Sequence, residues 1–124
     1  MLLGDLYTII GKEREGESFH ITLSMNAGHR IFDGHFPGRP VVPGVCLIQM
    51  VLEATESVLN ICPLRLISAT QIKFIATIDP RMNGSLDMRL VLVSTEENSI
   101  HLTAVISAGG TVCFKFNGMI GTTA

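Results

Sequence analysis

Charge is what this chain of 124 residues has least of. Nine Lys and Arg stand against eleven Asp and Glu, together 16% of the sequence, for a formal net charge of −2. The basic residues are scattered, which excludes a patch built to neutralise a nucleic-acid backbone. Cysteine is scarce as well. Cys46, Cys62 and Cys113 are too widely spaced for a zinc-ligand pair and odd in number for a disulfide framework. They read as reduced thiols of a cytoplasmic protein. No run approaches the about 18 apolar residues that read as a membrane span. The opening MLLGDLYTII has neither a basic start nor a long apolar stretch, so no signal peptide is expected there. Asn83-Gly84-Ser85 fits a glycosylation sequon, but in a chain that is not secreted it is a turn.

What is present is apolar: 47% of the residues are hydrophobic. That is more than a single small domain, here 1–124, can cover by itself, so a homodimer or a larger homo-oligomer with an apolar interface is expected. Residues 18–25 alternate strictly, with Phe19, Ile21, Leu23 and Met25 on one side, and predict a half-buried strand. Beyond Pro43-Gly44, about 16 residues without Pro or Gly carry Val45, Ile48, Leu52 and Leu59 at helical spacing, with Val51 and Val58 on another side. Such a helix, apolar nearly all round, is expected to be buried. The second half reads as strands: Leu66–Ile78, a turn cluster over 79–84, then alternation around Leu86–Leu92, Ile100–Ile106 and Val112–Phe116, with Ala108-Gly109-Gly110 as a turn. This is an α+β layout in which a sheet wraps one long helix.

The segment GHFPGRPVVPG, Gly34 to Gly44, places three glycines and three prolines around one histidine. Each proline fixes φ and removes a donor, while the glycines permit sharp turns and close approach of a ligand. Gly44 opens the helix, where unpaired N–H groups and the positive end of the helix dipole suit a carbonyl oxygen or a developing oxyanion. His35 can act as a general base near neutral pH.

Gly34 to Val45 closely resembles the signature of the β-hydroxyacyl-[acyl carrier protein] dehydratases, roughly G-H-F-P-G-x-P-x-x-P-G-V. Ile31-Phe32, Lys73-Phe74 and the strand order extend the likeness over most of the chain. The resemblance implies a hot-dog fold: a long central helix wrapped by a curved antiparallel sheet, paired as a dimer with the active site between the two helices. It implies acyl chains carried on the phosphopantetheine arm of acyl carrier protein. His35 would take the α-proton of a 3-hydroxyacyl thioester, and the N–H groups around Gly44 and Val45 would hold the thioester oxygen, with Phe36 and Pro43 lining the substrate. An acid from the partner's helix would protonate the departing hydroxyl. No metal or other cofactor is implied, since the elimination needs only a base, an acid and an oxyanion site.

The family acid stands fourteen residues after the histidine, and here that position is Gln49, with Glu53 one turn later. An amide cannot give up a proton and become a stable anion, so Gln49 is no general acid. Glu53 shares its helix face, about 6 Å along the axis. Buried in an apolar helix it would have a raised pKa and stay protonated as an acid must. Cys46, Gln49, Glu53 and Glu56 are expected to form one polar stripe. Cys46 reads as a small filler, and His20 and His101 as solvent-facing. His29 has no assigned role, and Arg30 and Arg39 could meet a phosphate. Beside a dehydratase, a hot-dog thioesterase and a disarmed acyl-binding or partner subunit remain open.

Overall fold

The strict alternation of residues 18–25 folds as expected. Ile21, Leu23 and Met25 turn inward along β2 (Ser18–Met25), with the residues between them half-exposed. A computed structural model describes residues 1–96 and 98–122. In chain order it holds β1 (Tyr7–Glu15), β2, a single helical turn α1 (Ile31–Gly34), α2 (Gly44–Leu59), β3 (Leu64–Phe74), β4 (Ser85–Glu96), β5 (Ser99–Ala108) and β6 (Thr111–Thr122). The strands form one sheet in the order β1-β2-β4-β5-β6-β3, with every neighbouring pair antiparallel. Gly109 and Gly110 take φ of 57° and 83° at the β5–β6 hairpin, the left-handed region a tight turn requires and glycine enters without strain.

The core lies between α2 and the inner face of the sheet. Leu47, Met50, Val51 and Ala54 of the helix pack into one cluster with Met88, Leu90, Leu102, Ala104, Phe114 and Phe116. Burying each large side chain contributes roughly 1.5–3 kcal/mol, which outweighs the missing side-chain cap at Pro43. The helix stops at Asn60, whose left-handed backbone (φ 56°) turns its N–H back to the Glu56 carbonyl.

Burial of α2 is one-sided, which corrects the expectation of a helix covered all round. Val45 is 76% exposed, Gln49 is exposed, and Ile48, Leu52 and Glu56 are partly so. The expected single polar stripe divides for the same reason. Cys46 and Glu53, seven residues apart, face inward, while Gln49 and Glu56, also seven apart, face outward. β3 shows a matching bareness. It pairs with β6 alone, and Arg65 to Phe74 are all exposed, Ile67 and Ile72 among them. Among the described residues no helix is long and apolar enough to cross a membrane.

Candidate active site

The histidine loop is set by its own punctuation. Phe36-Pro37-Gly38-Arg39 is a tight turn in which the Phe36 and Arg39 N–H groups each donate to the other residue's carbonyl, at 3.1 and 2.9 Å. Pro37 presets the first corner and Gly38, at φ 77°, supplies the second. The Val41 N–H donates to the His35 carbonyl (2.9 Å) and the Val42 N–H to Ile78 (3.0 Å), pinning the loop to the segment that follows β3.

His35 Nδ1 lies 3.3 Å from the Val41 carbonyl oxygen. A carbonyl can only accept, so Nδ1 carries the proton and Nε2 is left with its lone pair, the state a base requires. The Phe36 ring stacks on the imidazole at 4.3 Å and is itself half-exposed. His35 and Gly44 share a cavity of about 380 Å³ with Leu47, Phe74 and Ile75 to Ile78, an apolar slot with one titratable side chain. Pro43 is buried beneath it. Among the described residues the Gly44 and Val45 N–H groups donate to no acceptor, whereas those of Cys46 and Leu47 return to the Pro43 carbonyl (3.0 and 3.2 Å).

The structure does not gather the whole predicted constellation. Gln49 and Glu53 lie outside that cavity. Gln49 is on the exposed side of α2, and Glu53 is 1% exposed. The Glu53 carboxylate accepts four hydrogen bonds: Leu2 N–H (2.9 Å), Leu3 N–H (2.8 Å), Tyr7 O–H (2.8 Å) and Gln49 Nε2–H (3.0 Å). Burial by itself would push its pKa up, as the sequence suggested. The donors from Gln49, Leu2, Tyr7 and Leu3 together outweigh burial and hold the carboxyl below its ordinary value. The expected protonated acid is therefore an ionised group. Tyr7, buried and facing that anion, is pushed well above the ordinary tyrosine range.

Other side chains took roles the sequence did not announce. Tyr7 is the only tyrosine in the chain, and its place after an apolar opening was the one available hint. His29 is buried. Its Nδ1 accepts the Ile31 N–H (3.0 Å), so Nε2 donates to Asp5 (3.0 Å), tying the first residues to the start of the histidine loop. Glu56 accepts the Leu64 N–H (2.7 Å) and anchors the start of β3. Cys46 is buried, and burial pushes its thiol up, in keeping with a filler. Arg30 and Arg39 are exposed.

A sheet wrapped on one helix, with a histidine loop running into the helix start, defines a hot-dog protein of the dehydratase type. The sequence model of the ApeI-like family, described as ApeI dehydratase, matches residues 11–116, and the chain belongs to that family. It is similar to the 3-hydroxyacyl-[acyl-carrier-protein] dehydratase FabZ of Lactiplantibacillus plantarum, 35% identical over 60 residues, 44% of this chain and 41% of that protein. The FabZ of a Ruegeria species is 28% identical over 96 residues, 77% of this chain and 55% of that protein. The matched stretches thus span about half or less of these relatives' length. Among solved structures, the dehydratase heterocomplex ApeI:P from Xenorhabdus doucetiae superposes with a TM-score of 0.73 at 21% identity, over 91% of this chain and 96% of that one. A putative thioesterase from Ralstonia eutropha gives 0.65 at 14% identity, over 96% and 87%. At such identities the superpositions speak for the fold alone.

Proposed function

We propose that the protein is a hydro-lyase that removes water from 3-hydroxyacyl thioesters borne on acyl carrier protein, giving trans-2-enoyl thioesters for fatty acid or polyene synthesis in the cytoplasm. The observation that carries this is His35: a histidine with Nδ1 tied to the Val41 carbonyl, in an apolar slot that opens beside the free N–H groups of Gly44 and Val45. The thioester oxygen accepts from those N–H groups, which stabilise the enolate as it forms. His35 Nε2 takes the proton from C2, the C2–C3 double bond forms, and the C3–O bond breaks. With Gln49 an amide and Glu53 ionised, the new imidazolium is the acid that returns the proton to the departing hydroxyl, which leaves as water.

The bare edge of β3 and the exposed stripe of α2 suit a second copy of this chain, which would close the slot over Val45 and Phe74. A second reading rests on Gln49 at the acid position and on the heterocomplex named for the Xenorhabdus relative. In it this chain is a disarmed, acyl-binding partner of another dehydratase-type subunit.

The test is incubation of the purified protein with a 3-hydroxyacyl-[acyl carrier protein] and detection of the enoyl product. His35→Ala should lose on the order of 10²-fold or more. Release of free thiol without enoyl product would make it a thioesterase. Turnover only after a second dehydratase-type chain is added would make it the partner subunit.

A further inference from the structure

The Glu53 carboxylate sits where an amide's polarity becomes a matter of compulsion. Its two oxygens receive two backbone N–H groups and a phenol, all of them donors, at 2.8–2.9 Å. An ionised carboxylate has no hydrogen to give. Whatever reaches it from Gln49 must also be a donor, and Nε2 does so at 3.0 Å. The other end of the amide, Oε1, is thereby turned away from Glu53. Gln49 is exposed, and its neighbours on that side of α2 are Val45, Ile48 and Leu52. One acceptor of fixed direction thus stands among apolar side chains, one turn along from the N–H groups of Gly44 and Val45.

From this we infer that Glu53 is a positioning residue that locks Gln49 with its carbonyl oxygen outward, and that Gln49 Oε1 selects acyl chains bearing a 3-hydroxyl. The inference rests on the dehydratase reading for the identity of the ligand. Once the apolar stripe is covered and dry, Oε1 needs a donor. A 3-hydroxyl supplies an O–H, while a 3-oxo group offers a second acceptor and leaves both oxygens unpaired. A site built to pair with a hydroxyl rejects the analogue lacking it more strongly than any apolar pocket does. The same lock explains why a glutamine in place of the acid need not be idle: it orients the leaving hydroxyl that His35 protonates.

The test uses two unreactive probes, the 3-hydroxyoctanoyl and 3-oxooctanoyl amides of pantetheine, titrated calorimetrically into the intact protein. The wild type should hold the hydroxy probe on the order of 10-fold more tightly than the oxo probe. Gln49→Met keeps the side-chain length at an exposed position but removes the acceptor, and its preference should fall to about 1, that single hydrogen bond being lost. In Glu53→Gln the partner can accept or donate, so the Gln49 amide is free to turn. The preference should fall several-fold there, and in turnover KM should rise while kcat changes less. Equal affinity of the wild type for the two probes, binding of neither, or an unchanged preference in Gln49→Met would each overturn the inference. Should Glu53→Gln fail to fold, Gln49→Met decides the matter alone. Intact preference without any turnover would sink the dehydratase reading and leave the inference standing.

Discussion

The Tyr7 hydroxyl donates to Glu53 at 2.8 Å across 46 positions of sequence, in the interior. The bond joins the first strand to the middle of the helix that carries the site. It is charge-assisted and shielded from water, and such bonds contribute roughly 1.5–3 kcal/mol. Tyr7→Phe keeps the ring and removes only the donor. It should lower unfolding free energy by about that amount in urea titration, with the slope unchanged. A loss under about 0.5 kcal/mol, below what even an ordinary hydrogen bond contributes, would mean that the three remaining donors suffice.

Acid should loosen the same junction. Glu53 has a folded-state pKa below its ordinary value, so its contribution is fully present above the unfolded pKa, about 4.3 for glutamate. It is lost as pH falls through the lower, folded value. Thermal midpoints should therefore hold level from about pH 7 to 5 and decline below about 4.3. Glu53→Gln, which has no proton to take up, should show a shallower acid limb. Identical limbs in the two proteins would place the acid-sensitive group elsewhere.

Much of this molecule was legible because its signals are local. Three prolines and three glycines around His35 dictate the loop, and Pro43-Gly44 opens α2 where the periodicity begins. β1 was not foreseen, because Gly11 falls at a register shift and Lys12 to Glu15 lie on an exposed strand end where alternation carries no burial signal. The exposed stripe of α2 reads like a buried one, since Val45, Ile48 and Leu52 are apolar whichever surface covers them. Least legible was the state of Glu53. Two of its donors are the main-chain N–H groups of Leu2 and Leu3, about 50 residues away (51 and 50), and a backbone donor leaves no mark in the side-chain pattern.

Gly44 has a steric reason to be glycine as well as an electrostatic one. A Cβ there would stand 2.7 Å from Cε1 and 2.8 Å from Cζ of Phe74, whose ring walls the cavity. Alanine gains about 1 kcal/mol of helix propensity over glycine. The ring is 59% exposed, so it can swing aside without moving β3. The two effects nearly cancel in stability, but the displaced ring alters the slot beside His35. Gly44→Ala should therefore melt within a few degrees of the wild type and lose at least about 10-fold in turnover, as misplacements near 1 Å do. Full activity would mean that Phe74 moves outward, away from the acyl path.

Restoring an acid at position 49 should exploit the same donors that now hold Gln49 in place. In Gln49→Glu a second carboxyl would approach Glu53 at about the present 3.0 Å, and two carboxylates so close cannot both ionise. Leu2, Leu3 and Tyr7 continue to favour the anion on Glu53, so the shared proton rests on the new side chain. That group stands on the exposed side of α2, where a protonated carboxyl can serve a hydroxyl leaving from a neighbouring chain's slot. Dehydration should rise by 10-fold or more, on the order general acids provide, and the rate should fall at high pH as the pair loses its proton. A variant no faster than the wild type, with a flat alkaline limb, would show that position 49 does not meet the leaving group.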